Sequence, residues 1–145
     1  MSKVSQILEK KSGDILSVPS DATVFDTIER MAQRSAGTAL VIDGDEFVGI
    51  LSERDFIRKV YLKKEYGKGM LVKEIMSTSL TTVTSDDELE DCMGIMTSKR
   101  IRHLPVVDAG KVVGIVSIGD IVKYMVEEKD FQIKNLQSYI SGPGL

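Results

Sequence analysis

The sequence predicts a mixed α/β (α+β) fold made of two pseudo-symmetric β-α-β-β-α repeats packed into one module, on three observations. A motif of the form Gly-apolar-apolar-Ser-x-x-Asp-apolar occurs twice, as Gly49-Ile50-Leu51-Ser52-Glu53-Arg54-Asp55-Phe56 and as Gly114-Ile115-Val116-Ser117-Ile118-Gly119-Asp120-Ile121, 65 positions later. The same interval aligns Val18–Val60 with Val83–Met125 without a gap. Val18, Ser20, Asp21, Asp26, Met31, Val41, Asp43, Val48, Gly49, Ile50, Ser52 and Asp55 meet identical partners across it. Within each copy, apolar spacing alternates between the helical and the strand period, with turn residues at the changes.

In the first repeat, a short strand is expected around Ile15–Val18, followed by Pro19-Ser20-Asp21 as turn and helix-start chemistry. Val24, Ile28, Met31 and Ala32 then recur at i, i+4, i+7 and i+8, one apolar stripe of a helix. Ala39–Ile42 and Phe47–Leu51 are apolar, β-branched-rich runs around Asp43-Gly44-Asp45-Glu46, a hairpin signal. Phe56, Ile57 and Val60 are expected to line a second helix. The second repeat gives strand Leu80–Val83, helix Leu89–Ser98, strands Leu104–Val107 and Val112–Val116, and helix Ile121–Glu128.

Before the aligned block the interval becomes 68, pairing Val4 with Val72 and Ile7 with Ile75, so the first repeat carries three extra residues near Lys10-Lys11-Ser12-Gly13. The organisation read from these features is repeat one over 1–62, a polar linker over 63–69, repeat two over 70–128 and a helical tail over 129–145, where Phe131, Leu136, Tyr139 and Ile140 continue a helical spacing. A half-module of this size is marginal alone, so the two repeats are expected to share one core.

Composition narrows the function classes. With 145 residues, 42% of them apolar and 28% charged, the chain has the balance of one ordinary globular domain. Its net charge of −3 argues against a general binder of phosphate backbones, so no nucleic-acid partner is expected. No apolar run approaches the roughly 18 residues that span a bilayer, and the N-terminus lacks a signal peptide's apolar core. A cytoplasmic protein without a membrane partner is the expectation, a transit peptide removed before this numbering being left open. The single cysteine, Cys92, excludes an internal disulfide and a cysteine-cluster metal site, and its helical spacing between Leu89 and Met96 reads as core.

Two strand-helix-strand-strand-helix units, each closing in Gly-apolar-apolar-Ser-x-x-Asp, together with Lys99-Arg100-Ile101-Arg102-His103-Leu104-Pro105-Val106-Val107-Asp108, resemble a stand-alone tandem cystathionine-β-synthase-type (CBS) domain pair over roughly Val4 to Met125. The resemblance implies a sensor that binds AMP, ADP, ATP, NAD or S-adenosylmethionine in clefts between the repeats, with AMP or NAD foremost. It also implies crossed sites. One combines Ser52, Arg54 and Asp55 with Ser79, Leu80, Thr81, Arg102 and His103; the other combines Ser117 and Asp120 with Asp14, Ile15, Leu16, Gly37 and Thr38. Ile50, Ile115 and Val106 are the apolar neighbours expected to sandwich the adenine ring. Repeat one has Ala39-Leu40-Val41-Ile42 where the second has Leu104-Pro105-Val106-Val107, which departs from the family pattern.

Each motif has a plainer reading beside the functional one. Ser-x-x-Asp at a helix start is a capping box, in which Ser accepts from the third backbone N–H and the acid reaches back. The same carboxylate has two oxygens and can accept both hydroxyls of a ribose cis-diol. Arg54 and Arg58 form either a solvated helix face or, for Arg54 with Arg102 and His103, a phosphate site; His103 is equally readable as a structural side chain. On this reading the Asp55 site holds most of the positive charge and the Asp120 site little.

A lone histidine, a lone cysteine and scattered carboxylates form no recognisable catalytic set, so no enzyme, catalytic cofactor or metal is expected. The leading expectation is a non-catalytic nucleotide-binding regulator of an unknown protein, forming a homodimer. Against it stands a structural or oligomerisation module without a nucleotide ligand, for which Met31, Met93 and Met96 are candidate surface residues if exposed.

Overall fold

The computed structural model describes residues 2–11, 15–64, 67 and 69–141. The elements are α1 (Val4–Lys10), β1 (Ser17–Val18), α2 (Val24–Gln33), β2 (Thr38–Asp43), β3 (Glu46–Ser52), α3 (Glu53–Phe56), α4 (Leu89–Lys99), β4 (His103–Asp108), β5 (Lys111–Ser117) and α5 (Ile118–Ser141). A π-helical turn over Ile57–Tyr61 follows α3, and a 3-10 turn over Val72–Glu74 opens the second repeat. The mixed fold class and both hairpins are as the sequence predicts.

The chain divides into two units, one of Met1–Ser12, Val83–Leu104 and Ile115–Leu145, the other of Gly13–Thr82 and Pro105–Gly114. In the second of these, β1 pairs parallel to β2, which pairs antiparallel to β3 with Thr38 opposite Ser52. Gly44, at φ +61, supplies the left-handed turn that joins β2 to β3. The core of this unit gathers Leu16, Val18, Val24, Met31, Ala39, Val41, Leu51, Val60, Val72 and Ile75. Gly49 is needed for packing: a Cβ there would lie 2.6 Å from Met76 Sδ and 3.0 Å from the Ser77 carbonyl oxygen. That close approach lets Ile50 and Ser77 exchange backbone hydrogen bonds of 2.9 and 2.8 Å.

The leading segment of each repeat docks on the helix start of the other repeat. In one unit Val4 N–H donates to the Asp87 carbonyl, Ser5 N–H to that of Ser85 and Leu89 N–H to that of Ser2. In the other unit Val72 N–H donates to Ala22, Lys73 to Ser20 and Val24 to Met70. The two sets correspond bond for bond under the 65- and 68-residue intervals of the sequence, so the repeat extends to backbone pairing.

Several expectations need correction. Only Ser17–Val18 of Ile15–Val18 forms a strand. Leu80–Val83 forms no strand element; Val83 is a single bridge residue, and the preceding backbone pairs once, at Ser77 with Ile50. Ile57 is half exposed, not core-facing. The π turn is responsible: its wider ring, closed by Leu62 N–H on the Ile57 carbonyl, rotates side chains off an α-helical stripe while keeping Val60 buried. Ala32 is exposed, and Thr27 takes its place in the buried stripe of α2. The helix expected over Ile121–Glu128 runs without interruption from Ile118 to Ser141. Met31 and Met96 are buried and Met93 is half-buried. Cys92 is buried, and burial, with the nearby charges of Asp87 and Asp91, pushes its thiol up to about 11.

Candidate functional site

Both Ser-x-x-Asp corners form where a strand ends and a helix begins. At the first, Ser52 N–H and Oγ–H donate to Asp55 Oδ2, both at 3.0 Å, and Asp55 N–H donates back to Ser52 Oγ at 3.1 Å. At the second, Ser117 N–H donates to Asp120 Oδ2 at 2.9 Å and Asp120 N–H to Ser117 Oγ at 3.0 Å. Both capping boxes are therefore complete. In each, one carboxylate oxygen is used by the cap and the other points away from it.

A lysine stands at each carboxylate, and it comes from a different place. Lys59, one turn further along, has its ammonium 3.4 Å from Asp55 Oδ1 and donates to the Ile75 carbonyl at 2.9 Å. At the second corner, position 124 holds tyrosine where the first repeat has Lys59. The cation is supplied instead by Lys11, which ends α1 and donates to Asp120 Oδ2 and to the Ile115 carbonyl, both at 2.8 Å. Burial pushes the Asp120 carboxyl up, but the Lys11 hydrogen bond and charge and the donors of Ser117 outweigh it and hold it below the ordinary carboxylate value.

A cleft of about 270 Å³ opens at this second corner, lined by Ile7, Lys10, Lys11, Asp120, Lys123, Tyr124 and Glu127. Lys10 lies 5.0 Å over the Tyr124 ring. The expectation of little positive charge beside Asp120 is thus corrected: three lysines line its cleft. Lys11 sits in the three-residue insertion, the one part of repeat one with no counterpart in repeat two. That asymmetry is the one sequence signal near it, and it does not reach Asp120. A larger cleft, of about 590 Å³, lies at Asp43, Asp45, Glu46, Phe47, Thr82, Val107 and Gly110. Its carboxylates suit no phosphate, and it lies at the hairpin-turn end of β3, whereas the Ser52 corner lies at the other end of that strand.

The remaining predicted residues fall as follows. Gly37 and Thr38 lie beside the first corner: Glu53 N–H donates to the Gly37 carbonyl at 3.0 Å, and Thr38 pairs with Ser52. Thr38 is buried, and its hydroxyl has no hydrogen-bond partner among the described residues. Arg102 holds the equivalent place at the second corner, its carbonyl accepting from Ile118 N–H at 2.9 Å, with its side chain exposed. Ser79, Leu80 and Thr81 follow the Ser77 bridge to Ile50, in the same unit as Asp55. Ile15 is half-buried and Leu16 is core, its carbonyl accepting from Leu40 N–H. Arg54 is exposed on α3, and His103, half-buried, opens β4. Asp14 lies outside the described residues.

The CBS domain family matches this chain twice, over residues 4–62 and 72–127. The chain belongs to the CBS domain family. The Arabidopsis thaliana CBS domain-containing protein CBSX3, mitochondrial, is 34% identical over 96% of this chain and 72% of its own length. Among solved structures, a putative signal-transduction protein with CBS domains from Burkholderia ambifaria is 41% identical, with a TM-score of 0.83 over 87% of this chain and 95% of that one. The CBS domain pair of protein MJ0100, in complex with 5′-methylthioadenosine and S-adenosylmethionine, is 23% identical with a TM-score of 0.76, covers 88% of this chain and 97% of that one, and shares the fold. Within a CBS pair the two corners are equivalent by repeat, so the Lys11 and Lys59 difference distinguishes two otherwise matching half-sites. No helix among the described residues is long and apolar enough to cross a membrane.

Proposed function

We propose that this CBS domain pair is a non-catalytic regulatory module that binds an adenosine-containing nucleotide, AMP or NAD before ADP or ATP, and passes the state of occupancy to a partner protein. The observation that carries the reading is the pair of half-buried carboxylates, Asp55 and Asp120, each fixed by its own capping box with its second oxygen directed away from the cap. Such an oxygen keeps two lone pairs and can accept from the hydroxyls of a ribose. Lys59 beside Asp55, and Lys10, Lys11 and Lys123 around Asp120, supply charge for phosphate. The buried, unpartnered Thr38 hydroxyl beside the first corner is a further donor or acceptor for a ligand. The adenosine ligands of the MJ0100 pair, a likeness of fold, agree in chemical class.

A regulatory role fits the groups present. The Cys92 thiol, buried and shifted up to about 11, is not a nucleophile near neutral pH. A homodimer and a cytoplasmic location belong to the same reading. The competing one, a structural module, draws support from the completeness of both capping boxes, which account for Ser52, Asp55, Ser117 and Asp120 without any ligand.

Thermal unfolding with AMP, ADP, ATP, NAD and S-adenosylmethionine decides between them, because a ligand bound only by the folded state raises Tm. An increase with at least one, lost in Asp55→Asn or Asp120→Asn, supports nucleotide sensing. No increase with any of them at about 1 mM, about a hundredfold above a Kd of about 10 μM, leaves the structural module.

A further inference from the structure

The family match ends at residue 127, yet α5 continues to Ser141, and every residue from Lys129 to Ile140 is exposed. A helical segment of that length is marginal in water without tertiary packing. This one also carries Phe131, Ile133, Leu136, Tyr139 and Ile140 on its open surface, an apolar area on the order of several hundred Å², which marks an interaction surface.

The spacing of the exposed apolar residues says what covers it. Val122, Val126, Ile133, Leu136 and Ile140 are between 49% and 78% exposed. With Lys129 they follow one another at intervals of 4, 3, 4, 3 and 4 along the helix. That is the a/d seam of a heptad, and it places β-branched Val126, Ile133 and Ile140 at a, with Val122 and Leu136 at d. β-Branched a positions with leucine at d favour two parallel strands. The g positions Met125, Gln132 and Tyr139 carry no charge, so the charged e positions Lys123 and Asp130 meet no like charge across a parallel partner in the same register. Lys129, the one polar seam residue, can lay its stem along the seam with its ammonium in water. A lipid surface fits less well, because along Val122–Ile140 the acids Glu127, Glu128 and Asp130 balance the three lysines Lys123, Lys129 and Lys134, where a helix lying on a membrane is rich in basic residues.

We propose that α5 pairs in parallel with α5 of a second copy of this chain, through the seam Val122, Val126, Ile133, Leu136 and Ile140. This deepens the homodimer in the proposed function by naming its surface, and it does not depend on nucleotide binding.

The test uses the full chain. Sedimentation equilibrium is expected to show a dimer whose dissociation constant rises at least about tenfold in Ile133→Glu/Leu136→Glu and is unchanged in Phe131→Glu, which lies off the seam. Under oxidising conditions Val126→Cys and Ile140→Cys are each expected to give disulfide-linked dimers, which only a parallel, in-register pair allows at both positions. The parent chain, its thiol buried, is the control. A monomer at about 100 μM overturns the inference. So does cross-linking at only one of the two positions, which indicates an antiparallel or staggered pair. An unweakened dimer in Ile133→Glu/Leu136→Glu overturns it while leaving a homodimer through another surface.

Discussion

Lys11 places its ammonium 2.8 Å from Oδ2 of Asp120, a residue 109 positions later, and so occupies a carboxylate oxygen that a ribose diol needs. A ligand that uses both Asp120 oxygens must displace it. Lys11→Gln is therefore expected to bind uncharged adenosine more tightly than the parent chain in a calorimetric titration. Equal or weaker adenosine binding would show that the ion pair does not compete.

The same pair makes a pH prediction. Asp120 has a lowered folded-state pKa, so it releases its proton more readily when folded. Its contribution to stability is present above the unfolded value, roughly pH 4, and is lost as pH falls through the folded one. The pair is partly exposed, so Lys11→Gln should cost about 1 kcal/mol or less at pH 7, a Tm lower by roughly 1–4 °C. The gap between the two melting curves should narrow as pH falls below roughly 4 and close once Asp120 is protonated in the folded chain; a gap that does not narrow in acid assigns it to lost packing of the lysine stem.

Asp55 serves the cap whether or not it serves a ligand, and two substitutions separate the roles. Asp55→Ala removes the acceptor of both Ser52 donors and is expected to cost about 1 kcal/mol in denaturant unfolding. Asp55→Asn keeps an oxygen for Ser52 N–H and should recover part of that loss. If the asparagine form regains stability but not the Tm increase caused by nucleotide, the charged carboxylate reads the ligand. Retention of the full increase in both variants would confine Asp55 to the cap.

Thr38→Val replaces a buried hydroxyl that has no partner with a methyl of nearly the same volume. Leaving such a group unpaired costs about 1–3 kcal/mol, so the valine chain should be at least as stable as the parent. A simultaneous loss of nucleotide affinity would show what the hydroxyl is kept for. Destabilisation by valine would instead mean that water satisfies the hydroxyl in the folded chain.

Gly49→Ala should destabilise by about 1–3 kcal/mol, because the new Cβ meets both the Met76 side chain and the Ser77 carbonyl. Met76→Ala in the same chain removes the side-chain half of the clash but not the backbone half. Partial recovery in the double variant is the expected result of a thermodynamic cycle, and full recovery would mean that Ser77 gives way.

Much of this molecule was legible in the sequence, because the repeat imposes the same local chemistry twice. Ser52 and Asp55, and Ser117 and Asp120, are three residues apart, and a capping box is a local structure. The hairpins were readable from their turn residues for the same reason. Lys59 is four residues from Asp55 and helical spacing could have found it. Lys11 was out of reach: no local rule joins positions 11 and 120, and only the insertion around it marks one repeat as different. The π turn at Ile57–Tyr61 was hidden because its residues have ordinary helix-forming character. Leu80–Val83 has strand character, yet a strand needs a neighbouring backbone, and its apolar pattern says nothing of where that neighbour is.

The exchanged leading segments bear on how the chain is made. Ser2, Val4 and Ser5 hydrogen-bond to Leu89, Asp87 and Ser85, so this segment, synthesised before the second repeat, waits for that repeat before it finds its place. Val72 and Lys73, by contrast, meet Ala22 and Ser20, which have already been synthesised. One half of the backbone pairing can form during translation and its counterpart must form later, so two repeats that match in sequence have unequal histories.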